Sequence, residues 1–553
     1  MSFLVVPSEF TRAGNTTHTG EKFPIPDDEK FSYGTAGFRF DAKKLPFLVF
    51  RCAYVASLRA RQLNSAIGVM ITASHNPEED NGVKLVDPSG DMLNGQWEKY
   101  ATEIVNASDA ELPSAVAALE KQMSQIEKSF IARGLVQNAR VVCGMDTRVT
   151  GPHLMSAASQ GSALFSVRFE NIGVVSTPIL HYIVKSHNFP QFANPTLHGY
   201  YTAIKEAFME LYMETEEPEG SRYQPKVIVD CANGVGAPRF RDLMKEIPSD
   251  YLEVEFRNEN GRLNHQCGAD FVKIKQELPE NFDGIQEPKS ASFDGDADRL
   301  IYFRSKKGAE KPRAAELFDG DKIACLYAMY IQEQLKAYHE TKPTYNIDMG
   351  IVQTAYANGA STRFIRDTLK MKPIIVKTGV KYLHEEASEF DIGIYFEANG
   401  HGTVVFSSHF DSIIRRHPQT LVPLRRLALF SRVINETVGD AFADLLAVEI
   451  CLRHYGWSMD DWAEKLYRDV PSHQVKVDVA KREDFETTNA EQTLVKPIGL
   501  QEEIDKTVAK YKESRAFVRP SGTENIVRVY AEADTLENAI ELGETLKKIV
   551  LKY

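Results

Sequence analysis

Cysteine is scarce and never paired along the chain. The six cysteines (Cys52, Cys143, Cys231, Cys267, Cys325, Cys451) lie far apart with no Cys-x-x-Cys. That excludes a disulfide-stapled framework and points to buried, reduced thiols in a cytosolic protein. Long apolar runs are missing too. No stretch approaches ~18 uncharged apolar residues, so no membrane-spanning helix is expected. The opening Met1-Ser-Phe-Leu-Val-Val-Pro7 lacks a positive n-region and is too short for a signal peptide, so the expected location is cytoplasmic. Without an export signal, the glycosylation patterns at Asn15, Asn106 and Asn435 carry no weight. Net positive charge is also absent. The 65 basic and 77 acidic side chains give −12, which argues against a general nucleic-acid surface but leaves room for a local phosphate pocket.

What is present is an ordinary globular composition, 43% apolar and 26% charged. The 553 residues are enough for roughly three to five domains of about 100–200 residues. One pattern recurs. A short apolar run precedes a polar turn bearing glycine or aspartate: 68–71 before 72–77, 227–229 before 230–236, 291–293 before 294–299, 345–347 before 348–350, and 392–396 before 397–402. Helical stretches such as 48–62 and 319–335 lie between. Strands alternating with helices predict βαβ units and mainly parallel sheets, with the chemistry at the carboxyl ends of the strands. The tail differs. Residues 525–533 read as a strand. Leu536, Ala539, Ile540, Gly543, Leu546 and Val550 trace one face of a last helix, with Asp534 and Glu537 as its expected capping box. Met213–Ser221 and Lys306–Arg313 are polar and read as boundary or surface loops. The expected fold is α/β: three tandem mixed-sheet α/β domains (1–205, 206–312, 313–440) and a smaller C-terminal α+β domain (441–553).

Five loops carry chemistry. In Thr72-Ala-Ser-His-Asn-Pro77, Ser74 stands at the mouth of a strand, placed like a nucleophile or a phosphate carrier. A serine hydroxyl is weak until a base or metal activates it. A phosphoserine is instead a donor, and a metal can stabilise the moving group. His75 adjoins it, and Lys84 follows after a turn at Asn81-Gly82. The bland alternative is a hydroxyl in a turn closed by Asn76-Pro77. In Asp294-Gly-Asp-Ala-Asp-Arg299, carboxylates at i, i+2 and i+4 can converge on one hard cation, and oxygen-only ligands suit Mg²⁺. A calcium EF-hand loop would need Gly and Glu where Arg299 and Ser305 stand; a solvated acidic turn is the other alternative. Glu397-Ala-Asn-Gly-His-Gly-Thr403 sets a carboxylate, an amide and an imidazole beside glycines that permit close approach to a sugar ring. Lys377-Thr-Gly379 offers a further polar edge. Arg519-Pro-Ser-Gly-Thr-Glu-Asn525 combines a guanidinium suited to phosphate with Ser521, Thr523 and the backbone N–H groups near Gly522, and Arg528 offers a second guanidinium. The fifth loop, Phe31-Ser-Tyr-Gly-Thr-Ala-Gly-Phe-Arg39, presents Arg39 among small residues; for it, as for the Glu397 and Arg519 loops, a plain structural turn is the alternative.

In this order the loops resemble the α-D-phosphohexomutase superfamily. Gly34–Arg39, Thr72–Pro77, Asp294–Arg299, Glu397–Gly402 and Arg519–Asn525 each match a family motif. A finer likeness, to the eukaryotic phosphoacetylglucosamine mutases, is carried by Thr72–Gly90, Asn264–Val272 and Glu397–Thr403. The resemblance implies a heart-shaped molecule with a central cleft, its four domains bearing in turn a phosphoserine loop, a metal-binding loop, a sugar-binding loop and a phosphate-binding loop. It implies an isomerase interconverting N-acetylglucosamine 6-phosphate and 1-phosphate, in UDP-N-acetylglucosamine biosynthesis. The route implied is a phosphoserine enzyme and a hexose 1,6-bisphosphate intermediate. Ser74 matches the phosphoserine. Asp294, Asp296 and Asp298 match the Mg²⁺ ligands, with the serine phosphate as a further ligand. Arg39, His75 and Lys84 fall at active-site basic positions. Arg299, Thr378, Gly379, Glu397, Asn399 and Gly400 match substrate contacts. Arg519, Ser521, Gly522, Thr523 and Arg528 match the site of the phosphate that is not transferred. The expected partner is a small-molecule sugar phosphate, bound by a monomer that engages neither nucleic acid nor membrane. The competing expectations are a phosphoglucomutase or phosphomannomutase, a non-catalytic sugar-phosphate binder, and a phosphatase with an aspartyl nucleophile.

Overall fold

The computed structural model describes residues 5–34, 37–126, 137–165, 167–283, 289–308, 311, 313–341, 345–416, 421–521 and 525–553. The chain forms two compact units. One comprises Met1–Met213, Pro225–Leu317 and Arg432–Ala447; the other comprises Glu214–Gln224, Phe318–Ser431 and Val448–Tyr553.

The first unit holds two mixed sheets. Strands β1 (Phe38–Asp41), β2 (Ala66–Ile71), β3 (Asp80–Val86), β4 (Arg140–Met145) and β5 (Arg168–Val174) lie in the order β1-β3-β2-β4-β5. β2–β4–β5 are parallel, while β3 runs antiparallel to β2. β2 is buried along its whole length. Its Ile67, Val69 and Ile71 share a core with the helix Leu45–Leu63, and Gly68 meets Val184 of the helix Thr177–Asn188. Burial on both faces is why this strand reads as an unbroken apolar run. The second sheet repeats the scheme: β6 (Lys226–Asp230), β7 (Glu253–Arg257), β8 (Ser290–Phe293), β9 (Leu300–Ser305) and β10 (Ala315–Phe318), in the order β10-β9-β8-β6-β7. Lys306 N–H donates to the Ala314 carbonyl at 2.8 Å where β9 and β10 lie side by side. The late segment Arg432–Ala447 returns to this unit and packs Phe442 on Phe293 (5.4 Å) and Phe240 (5.0 Å), behind the turn that follows β8.

In the second unit, β11 (Met349–Thr354), β12 (Ile374–Val376), β13 (Ile392–Phe396) and β14 (Gly402–Phe406) form a sheet ordered β12-β11-β13-β14. Two parallel pairs and an antiparallel edge again make it mixed. The C-terminal part is α+β. β15 (Ser472–Asp478), β18 (Arg515–Pro520) and β19 (Ile526–Glu532) form an antiparallel sheet ordered β15-β19-β18, beside the hairpin β16 (Glu486–Thr488)–β17 (Thr493–Lys496). The helices Leu500–Val508 and Leu536–Val550 share its core. Arg515 donates to the carbonyls of Ala355 (3.0 Å) and Ala357 (2.7 Å), tying this sheet to the loop after β11. Glu214–Gln224 also belongs to this unit, where Arg453 Nε donates to the Thr215 carbonyl at 3.0 Å.

Four of the five apolar runs are strands ending at their polar turns. The fifth is displaced, because β11 begins just after Asp348 rather than ending before it. Gly350 reads as a turn residue in sequence. In the fold it is a strand residue whose missing side chain admits the Phe390 ring, 2.4 Å from where a Cβ would stand. The last helix buries a different stripe from the expected one: Ala539, Leu542, Gly543, Leu546, Ile549 and Val550 face inward, while Leu536 and Ile540 are exposed. Its cap is one residue later than expected. Thr535 Oγ1 accepts from Asn538 N–H at 3.1 Å, and Asp534 holds the Asn538 side chain at 2.7 Å. All six cysteines are free and buried. Among the described residues no helix is long and apolar enough to cross a membrane.

Candidate active site

β2 delivers the serine loop. Ser74 is 2% exposed and left-handed, with φ 52°, a conformation costing a non-glycine residue roughly 1–3 kcal/mol. Hydrogen bonds hold it there. Its N–H donates to Thr72 Oγ1 at 2.9 Å, and that hydroxyl donates to Asp146 Oδ2 at 2.7 Å. Its carbonyl accepts from Asn264 Nδ2 (2.9 Å) and Arg148 Nη2 (3.2 Å), and the same donors reach the Asn76 carbonyl at 3.0 and 2.8 Å. Arg148 is itself paired with Asp146. So fixed, Ser74 Oγ donates to Asp294 Oδ2 at 2.7 Å.

Asp294 opens the turn after β8. Gly295 is required there by contact, since a Cβ would lie 2.7 Å from the Ser74 carbonyl oxygen. The small spacer is what allows the two loops to meet. Asp294, Asp296 and Asp298 are all buried, and one carboxylate oxygen from each lies within 4.8 Å of the others. Asp298 N–H donates to Asp294 Oδ1 at 3.0 Å. Asp296 Oδ2 accepts from Thr177 Oγ1 (2.5 Å) and Lys84 Nζ (3.1 Å), while its Oδ1 is buried with no hydrogen-bond partner. An orphan acceptor on one of three converging carboxylates fits a hard divalent cation. Burial, then the charges of Asp298 and Asp296, push the Asp294 carboxyl well above the usual range, a crowding that a cation offsets.

The basic residues close around this cluster. Lys84 Nζ also lies 3.2 Å from Asp298 Oδ2. Burial acts to lower its pKa, but Asp296 and Asp298 outweigh that and hold it raised, so Lys84 is a cation. Arg299 Nε stands 3.8 Å from both Asp294 and Asp298, and its Nη1 reaches Asp270 at 3.2 Å. The Arg299 charge, burial and the Arg39 charge push the His75 imidazole down to about 2, so it is neutral near pH 7, with Nδ1 buried and unbonded. Arg39, on β1, places Nη1 3.5 Å from Asn76 Oδ1. The first unit therefore brings together Arg39, Ser74, His75, Lys84, the three aspartates and Arg299. Sequence reasoning missed Asp146, Arg148 and Thr177, and gave Asn264, in a stretch that carries the family likeness, no role at the site. Asp146 and Arg148 follow an apolar strand as the other loops do, and that signal could have found them.

The remaining residues lie in the second unit. Glu397, Asn399 and Gly400 form the β13–β14 turn, where Asn399 Nδ2 donates to Glu397 Oε2 at 3.1 Å and Asn399 Oδ1 accepts from His401 N–H at 3.0 Å. Thr378 and Gly379 precede the helix Val380–Ala387. Arg519 ends β18 directly opposite Arg528 on β19. Ser521 N–H donates to the Ile526 carbonyl at 2.9 Å. Gly522 and Thr523 lie outside the described residues.

Family models match most of the chain. Residues 51–112 and 119–194 match the phosphoglucomutase/phosphomannomutase alpha/beta/alpha domain I, and 475–548 match the C-terminal domain of the same class. The fold is thus that of an α-D-phosphohexomutase. Residues 193–301 and 319–457 match phosphoacetylglucosamine mutase AMG1 domains II and III. The phosphoacetylglucosamine mutase of Candida albicans is 44% identical over 95% of this chain and 97% of its own; that of Homo sapiens is 42% identical over 95% of each. Among solved structures, an N-acetylglucosamine-phosphate mutase in its substrate complex superposes with a TM-score of 0.87 at 42% identity, over 95% of this chain and 97% of that one. The Aspergillus fumigatus N-acetylphosphoglucosamine mutase in complex with GlcNAc-6P and magnesium gives 0.86 at 39% identity, over 95% and 96%. This chain belongs to the phosphoacetylglucosamine mutase family.

Proposed function

We propose that this protein interconverts N-acetylglucosamine 6-phosphate and N-acetylglucosamine 1-phosphate, with Ser74 as the phosphate carrier and a hexose 1,6-bisphosphate as intermediate and activator. The observation that carries the reading is the 2.7 Å contact of Ser74 Oγ with Asp294, two residues 220 positions apart in the chain. A hydrolase serine is aimed at a base; this one is aimed at a cation-ready carboxylate loop. Asp294, Asp296 and Asp298, with the Ser74 phosphate, would hold Mg²⁺, which would supply positive charge to a phosphoryl group in transfer. The chain's own residues do the rest. Asp294 accepts the hydrogen bond of the Ser74 hydroxyl when the serine carries no phosphate. Lys84, Arg39 and Arg299 act as fixed cations, and neutral His75 fills the space beside them. Burial of Ser74 limits water that would otherwise hydrolyse its phosphate.

In the second unit we assign Glu397, Asn399, Gly400, Thr378 and Gly379 to the sugar, and Arg519, Ser521, Gly522, Thr523 and Arg528 to the phosphate that stays. One serine and one metal serve both half-reactions, so the sugar must be bound in two orientations. We take the four sheets as the nuclei of four domains near the expected boundaries, with the second extending to the end of β10, in a cytoplasmic monomer. The test is kcat/KM across glucose, mannose, glucosamine and N-acetylglucosamine phosphates. N-acetylglucosamine phosphate is expected to lead clearly; a preference for a sugar without the acetyl group would overturn the assignment.

A further inference from the structure

One carboxylate joins the two recognition loops of the second unit. Glu491 Oε2 accepts from both the backbone N–H (2.9 Å) and the hydroxyl (2.6 Å) of Thr378. Its Oε1 lies 3.3 Å from Arg519 Nε, an ion pair off the line of a hydrogen bond. The Glu491 and Arg519 side chains are only 15% and 11% exposed, so water screens the pair less than a surface ion pair. The backbone that presents Glu491 bends sharply. Asn489, Ala490 and Glu491 have φ of 52°, 51° and 68°. Three successive left-handed non-glycine residues persist only where the surroundings over-determine them.

The sheet shows why negative charge is needed there. Arg519 stands opposite Arg528, and Arg528 stands opposite Lys476 on β15. Three cations thus share one row across the sheet, and like charges directly opposite disfavour one another. Glu491 offsets this row at Arg519. It does so beside Nε, which leaves the two Nη nitrogens for an end-on bidentate contact with phosphate.

We propose that Glu491 is a positioning residue that locks Thr378 and Arg519 together, so that the sugar loop and the phosphate loop read one substrate in fixed register. This rests on the assignment of Arg519 to the phosphate above. The test is steady-state kinetics with N-acetylglucosamine 6-phosphate, plus competitive inhibition by inorganic phosphate, for Glu491→Gln, Glu491→Ala and Arg519→Ala. Glutamine keeps the shape and an oxygen for Thr378 but removes the charge beside Arg519. Glu491→Gln is expected to raise both KM and the phosphate inhibition constant about tenfold, with kcat within about twofold and an unchanged melting temperature. Glu491→Ala should raise both further. A lower KM with tighter phosphate inhibition would overturn the proposal, since Glu491 would then be a competitor that substrate displaces. Unchanged constants would overturn it as well. Arg519→Ala separates the two levels: no effect on phosphate inhibition sinks the clamp assignment itself, whereas an effect there but none in Glu491→Gln sinks only the role of Glu491. Should Glu491→Gln fail to fold, Glu491→Asp, which keeps the charge but withdraws it from Thr378 and Arg519, must raise KM and the phosphate inhibition constant in the same direction or the proposal fails.

Discussion

In the first unit the proposed reacting groups are sealed and cross-tied. Ser74 and the three aspartates are buried, and Thr72 of the serine loop itself, with Asp146, Arg148, Thr177 and Asn264 from three other segments of the chain, holds them. In the second unit the proposed recognition groups Glu397, Asn399, Arg519 and Arg528 are half-buried. They bond within their own turns or through one shared carboxylate, Glu491. The contrast follows from the chemistry proposed. Phosphoryl transfer needs the same atoms in the same place in both half-reactions, because positioning and charge stabilisation supply most of the catalysis. Recognition has to accept a sugar presented in two orientations, which rules out a fully enclosed socket.

The comparison can be broken by showing that defects in the two units look alike. Among the groups that surround Ser74 and the substrate, the largest effect expected is at Asp296. Asp296→Asn should lower kcat by roughly 10²-fold or more and weaken Mg²⁺ binding by calorimetry, while leaving KM for the sugar phosphate within about threefold. A pure KM effect would erase the distinction. Glu491→Gln is the mirror case, a KM effect with kcat preserved. The smallest effect concerns a tie within the scaffold of the second unit, at Asp461. Burial would raise the Asp461 carboxyl, but hydrogen bonds from Arg222, Lys465 and Ser458 outweigh it and hold the carboxyl well below its ordinary range. A depressed folded-state value stabilises the fold above the unfolded carboxylate pKa of about 3.9 and loses that stabilisation as pH falls through the folded value. Asp461→Asn should therefore melt a few degrees below the parent at pH 7, with the gap closing below about pH 4. A gap that is constant with pH would remove the ion-pair explanation.

Much of this was legible from the chain. β2, β6, β8 and β13 are buried enough to read as apolar runs, so the polar turns at their carboxyl ends stood out. Gly350 misled because its missing side chain serves ring packing rather than a turn. The residues that hold the site stayed hidden for a different reason. Asn264 meets the Ser74 carbonyl across 190 positions and Arg148 across 74, and no periodicity encodes such a pairing. Glu491 sits in a polar stretch without a motif; only its contacts with Thr378 and Arg519 distinguish it. The stripe of the last helix was misjudged because Leu536 and Ile540 are apolar yet exposed, and sequence alone does not say which edge of an apolar face meets the sheet.

The most direct test of the central claim is to follow phosphate on the enzyme itself. Protein incubated with limiting glucose 1,6-bisphosphate and Mg²⁺ should gain the mass of one phosphoryl group, mapped by peptide analysis to Ser74. That group should leave when N-acetylglucosamine 6-phosphate is added, and Ser74→Ala should neither acquire it nor turn over substrate. A phosphoryl group found on an aspartate of the 294–298 turn, or sustained turnover by Ser74→Ala, would contradict the account.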